Sequence, residues 1–82
     1  MLQKLLLLLA ITLVSFSAFS VNINTASALE IEEGLKGVGK NKAAAIISYR
    51  NEKGQFKSLN DLSDVKGIGA IIVYRNIDRI EL

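Results

Sequence analysis

The stretch Leu35-Lys36-Gly37-Val38-Gly39 returns thirty residues later as Val65-Lys66-Gly67-Ile68-Gly69. The match extends outward more weakly: Ala43 aligns with Val73, Ile47 with Ile77 and Leu29 with Leu59. Two copies of about thirty residues read as two copies of one supersecondary unit, each too small to bury its own apolar face.

Each copy reads as helix, tight turn, helix. Ser27-Ala28-Leu29-Glu30 has the form of a capping box and predicts a helix from near Ala28. Asn24 and Thr25 are further candidate caps. Gly37 and Gly39 stop that helix near Leu35. A second helix is expected from about Lys40, because Ala43, Ile46, Ile47 and Arg50 share one helical face. Ala43-Ala44-Ala45 adds helix propensity, and Gly54 ends the run. Ser58-Leu59-Asn60-Asp61 repeats the capping-box form and opens a short helix to about Val65. After Gly67 and Gly69 a last helix runs through Ile77 towards Ile80. The expectation is an all-α domain of four to five short helices with no sheet. Phe56, in the link 51–57, should pack between the two copies, and Tyr49 should belong to the core.

The chain opens with a different kind of segment. Lys4 supplies a positive charge, Leu5 to Val14 is apolar apart from Thr12, and Ala18 and Ser20 fit a small-x-small cleavage pattern. That is the form of a signal peptide cleaved after Ser20. The two parts are then a leader over residues 1–20 and a domain over residues 21–82. The alternative is an uncleaved inner-membrane anchor, although the apolar run is short for a span of about 20 residues.

The 82 residues less this leader of 20 leave 62. A domain of that size buries only about 60% of its unfolded surface. Exported domains so small often carry disulfides. This chain has no Cys and no His, so a zinc site and the usual bases and nucleophiles lack their side chains. The reading is a non-enzymatic domain with no cofactor. The whole chain has 10 Lys+Arg against 8 Asp+Glu. Losing Lys4 leaves nine against eight, a net of +1. Any affinity for nucleic acid must come from where the charges sit, not from their sum.

The repeated turn shows where. Glycines flanking an apolar residue permit a tight bend and let a ligand approach the backbone. Val38 or Ile68 turns inward and pins the bend. The turn also opens a helix, whose first N–H groups are unpaired and partly positive. A phosphate oxygen can accept from them directly. Two such turns related by a pseudo-two-fold match the two strands of duplex DNA. Backbone contacts carry no base information, so binding should ignore sequence and depend on salt. Lys36, Lys40 and Lys42 gather around the first turn and Lys66 at the second. A plain solvated face balancing Glu30, Glu32 and Glu33 is the structural alternative for these lysines. Arg50, Lys53 and Lys57 are weaker candidates for an extended basic edge. Arg75 and Arg79, near Asp78 and Glu81, read as helix-surface pairing.

Five blocks in this order and spacing resemble the ComEA-like competence proteins. They are Val21 to Ser27, Leu35 to Gly39, Ala45 to Arg50, Gly54 to Ser58 and Val65 to Gly69. The resemblance implies a tandem helix-hairpin-helix fold, (HhH)2, and non-specific double-stranded DNA binding in natural transformation. It implies a periplasmic domain that captures incoming DNA, with a ComEC-type inner-membrane channel as partner. It also implies uptake machinery related to type IV pili and type II secretion, and self-association on DNA would fit. Carried over by position, the phosphate-binding residues are Lys36, Gly37, Val38, Gly39, Lys40 and Lys42, then Lys66, Gly67, Ile68, Gly69 and Ala70. Such turns can also hold a monovalent cation on their carbonyls; no metal ligand set is implied.

Two departures stand out. Lys36 stands where relatives often have Pro, which adds charge and frees φ. In the second turn Lys40, Asn41 and Lys42 become Ala70, Ile71 and Ile72, so the two hairpins should contribute unequally. Ala70-Ile71-Ile72-Val73 cannot all face the core of one short helix. Either Ile71 covers a neighbouring helix end, or Ile71, Ile72 and Tyr74 form an exposed patch for a partner. The rival function is therefore a protein-interaction module of a secretion or pilus-like machine with degenerate DNA binding. A cytosolic DNA-repair accessory role is a third, which the leader disfavours.

Overall fold

A computed structural model describes residues 20–82, so the leader expected over residues 1–20 lies, but for Ser20, outside the described residues. The chain forms β1 (Val21–Asn22), α1 (Ala28–Gly34), α2 (Lys40–Lys53), α3 (Leu59–Ser63), α4 (Gly69–Arg75) and β2 (Ile80–Glu81). Among the described residues no helix is long and apolar enough to cross a membrane.

The helix starts follow their caps. Ser27 and Glu30 close a complete capping box at α1, each side chain bonded to the other's backbone N–H. Ser27 is therefore the cap. Asn24 does something else: its side-chain amide bonds both the N–H and the C=O of Phe56, at 2.7 and 3.1 Å. At α3 Ser58 accepts from Asp61 N–H, but the Asp61 carboxylate reaches one residue further back, to Lys57 N–H at 2.9 Å. The second box is thus only half formed. α2 ends on Gly54, at φ 87.

The expected absence of a sheet needs correction, and so does the length of the last helix. α4 stops at Arg75, five residues short of Ile80. The cause is Asn76, whose backbone carbonyl accepts from Arg79 and Ile80 at 2.8 and 3.1 Å and bends the chain. Ile80–Glu81 then pairs in parallel with Val21–Asn22. Val21 donates to Arg79 at 2.7 Å and Ile23 to Glu81 at 2.9 Å. Residues 76–79 form a turn, so the helical spacing assumed for Arg75 and Arg79 is absent there.

The core draws on both copies. Leu35, Val38 and Ala43 are buried in the first, and their repeat partners Val65, Ile68 and Val73 in the second. Ile23, Ile31, Ile46, Phe56 and Leu62 fill the space between them. Phe56 is buried in this shared core and stacks on Tyr49, ring centroids 4.9 Å apart. Tyr49 is half-buried, with Lys53 Nζ 5.3 Å from its ring. Among the described residues the twelve buried apolar side chains all fall between Ile23 and Val73. The segment 20–82 therefore carries an apolar core of its own.

Candidate functional site

Among the described residues the four helices fall into two kinds at their N-termini. α1 and α3 are capped by serine side chains and carry Glu30 and Asp61 in their first turns. Those acids satisfy the partial positive charge of a helix start. α2 and α4 follow the glycine turns, and neither has a side-chain cap or an acid in its first turn. α2 goes further: Lys40 and Lys42 place positive charge at its positive end. By itself that arrangement is unfavourable, by about 0.3–1 kcal/mol for each exposed cation. An anion at the turn would reverse its sign. The unpaired N–H groups and the lysines together have the chemistry that would complement one.

The first turn has open space around it. Gly37 takes φ 78, a conformation that favours glycine, whereas Gly39 is extended at φ −87 and ψ −167. A side chain at Gly39 would break no backbone rule and would meet nothing within 4 Å. The glycine there leaves room in front of the helix N-terminus. Val38 is buried between the two glycines and anchors the turn. Lys36 and Lys40 are exposed, while Lys42 is half-buried. Lys42 folds back with Nζ 3.5 Å from the Gly37 carbonyl oxygen.

The second turn lies beside the first. A Cβ at Gly67 would sit 3.6 Å from Lys42 Cγ. The structure therefore brings Lys36 to Lys42 and Lys66 to Ala70 to one edge of the domain. The two turns are not copies in detail. Ile68 N–H closes the second on Val65 C=O at 3.0 Å, and Gly69 takes φ 63 where Gly39 is extended. α4 is half as long as α2, seven residues against fourteen. Lys66 and Ala70 are exposed, and Ile68 is buried like Val38.

Other expected contributors sit elsewhere. Arg50 is no part of a basic edge: its Nη1 donates to the carbonyls of Ile23 and Ala26, both at 2.9 Å, and ties the N-terminal loop to α2. Lys53 lies thirteen residues beyond Lys40, about 20 Å along the helix. Ile71 and Tyr74 are exposed at 72% and 77%, so Ile71 covers no helix end. Ile72 instead packs against the core and leaves the patch. Ile77, 53% exposed, joins Tyr74, Ala70 and Leu59 around a shallow groove of about 280 Å³.

Sequence reasoning missed Asn76. Its side chain is fully buried and fully bonded: Oδ1 accepts from Lys36 N–H at 2.8 Å, and Nδ2 donates to Lys36 C=O and Ile72 C=O, both at 2.9 Å. A polar residue among Val73, Ile77 and Ile80 is the one available signal, since a buried amide must find partners.

Residues 17–80 match the family model described as "Helix-hairpin-helix motif". The chain belongs to the helix-hairpin-helix family. Its ComEA-like character shows in the relatives. It is 55% identical over 49 residues to ComE operon protein 1 of Bacillus subtilis, covering 60% of this chain and 23% of that one. It is 47% identical over 60 residues to an uncharacterized protein of Haemophilus influenzae, covering 73% and 54%. A rat "Endonuclease/exonuclease/phosphatase family domain-containing protein 1" matches at 38% over 55 residues, 67% of this chain and 10% of that protein. The chain thus spans about half the length of the Haemophilus relative and less than a quarter of the Bacillus one.

Proposed function

We propose that this helix-hairpin-helix domain binds double-stranded DNA through backbone phosphates, without sequence preference and without catalysing a reaction. One observation carries the reading. The helices opened by the glycine turns lack caps and first-turn acids, while α1 and α3 have both. A phosphate supplies the missing negative charge at α2. Lys36, Lys40, Lys42 and Lys66 neutralise its neighbours, and Lys42 sets the spacing of the two turns.

The leader and the ComEA-like relatives support a setting for this activity. Residues 1–20 are a signal peptide removed after Ser20, which delivers the domain to the periplasm. There it captures DNA for natural transformation and passes it towards a ComEC-type channel, with pilus or type II secretion-like machinery as the uptake motor. A second reading, docking on a protein of that machinery, is favoured by the exposed Ile71, Tyr74 and Ile77.

The test is an anisotropy titration of residues 20–82 onto two fluorescent duplexes of unrelated sequence at several salt concentrations. The two should bind alike, with log affinity falling linearly against log salt. A folded domain that binds neither duplex at low salt would overturn the reading and leave the protein-docking one.

A further inference from the structure

We infer that Asn76 is a positioning residue of the first DNA-binding turn, so that the second motif sets the geometry of the first. This rests on the phosphate-binding reading above. The two turns face the same problem, since each has two glycines and little local restraint. The second solves it internally, with Ile68 N–H bonded to Val65 C=O. The first makes the same kind of turn over Lys36 and Gly37, but its Val38 N–H to Leu35 C=O contact is weaker than the 3.0 Å bond of the second. What the first has in addition is the carboxamide of Asn76, forty residues away, which takes both backbone polar groups of Lys36.

That two-point contact fixes the peptide planes on either side of Lys36, and so the direction in which Gly37 leaves. Val38, buried, fixes the far side. Between these two anchors the N–H groups entering α2 can point only one way. Asn76 is itself held from all sides. Its N–H bonds Val73 C=O, its C=O accepts from Arg79 and Ile80, and its Nδ2 also reaches Ile72 C=O. The same residue thus ends α4, aims β2 at β1 and locks the turn that carries most of the lysines. The two copies have different tasks: the first grips, and the second holds the grip in shape.

The experiment compares Asn76→Ser with Ile47→Ala in the segment 20–82. Ile47 is half-buried against the core, about two helical turns beyond Lys40, and serves as a destabilised control. Thermal melting is recorded beside salt-dependent anisotropy on random-sequence duplex. Asn76→Ser should weaken DNA binding about tenfold and lower the salt slope by about one, because the misaligned turn no longer holds its phosphate. Ile47→Ala, at a similar loss of Tm, should leave both unchanged. A folded Asn76→Ser with the affinity and slope of the control overturns the inference alone. Failure of the unaltered domain to bind DNA overturns the phosphate reading and the inference with it. Should Asn76→Ser not fold, amide exchange in the unaltered domain decides. Lys36 N–H should be protected to the level of the core, and exchange at the rate of an open turn would overturn the lock.

Discussion

Lys42 lies against Gly67, its alkyl stem within van der Waals reach of where a Gly67 side chain would begin, while its Nζ turns back to the Gly37 carbonyl. One side chain therefore touches both glycine turns, with its stem as a spacer and its charge at the proposed phosphate site. The two roles separate by substitution. Lys42→Met keeps the stem and should lower the salt slope by about one. Lys42→Ala removes the stem as well and should weaken DNA binding further. At Lys40, exposed and free of such packing, Met and Ala should behave alike. Anisotropy on one duplex at several salt concentrations reads all four; equal losses for the two Lys42 variants would remove the spacer role.

Most of the turn chemistry was legible in the sequence because it is local and repeated. The G-x-G spacing, the serine caps and the lysine cluster are set by neighbours within four residues. What escaped depends on partners brought together across the fold. Asn76 reads as one polar residue at the end of an apolar helix, and nothing nearby says that its partner is Lys36. Arg50 reads as surface charge because its carbonyl partners, Ile23 and Ala26, come from a loop more than twenty residues away. The β1–β2 pair is two residues long on each side, too short to show an alternating pattern, and it exists because Asn76 turns the chain early.

Arg50 should matter for stability more than for DNA. A hydrogen bond to a charged group contributes about 1.5–3 kcal/mol, and the Ile23 and Ala26 carbonyls would lose theirs together. Arg50→Met should therefore cost about 1–3 kcal/mol in urea unfolding. Its salt slope for DNA should stay that of the unaltered domain. A fall in slope with stability intact would return Arg50 to the DNA-binding edge.

Gly34 carries the Val21 side chain of β1 directly on its Cα, and an added Cβ would overlap Val21 Cγ2. Gly34→Ala should push β1 off α1 and cost about 1–3 kcal/mol through overpacking. Amide exchange would show it as lost protection of Val21 and Ile23, whose N–H groups pair with Arg79 and Glu81. Retained protection there would mean that β1 yields without unpairing.

A phosphate bound by the free N–H groups opening α2 would sit in front of Gly39, which makes that position the direct test. Its backbone is extended and a Cβ there would meet nothing within 4 Å, so a side chain can start at this position without a clash. Aspartate there would cap α2 from within and place a negative charge where the phosphate should sit. Gly and Asp differ by only a few tenths of a kcal/mol as caps, so the fold should survive. The measurement is the DNA affinity of Gly39→Asp at low salt, with its melting temperature beside it. The expected result is a melt equal to or slightly above that of the unaltered domain, and affinity reduced by at least about tenfold. A Gly39→Asp domain that melts normally and still binds DNA as the unaltered one does would contradict it.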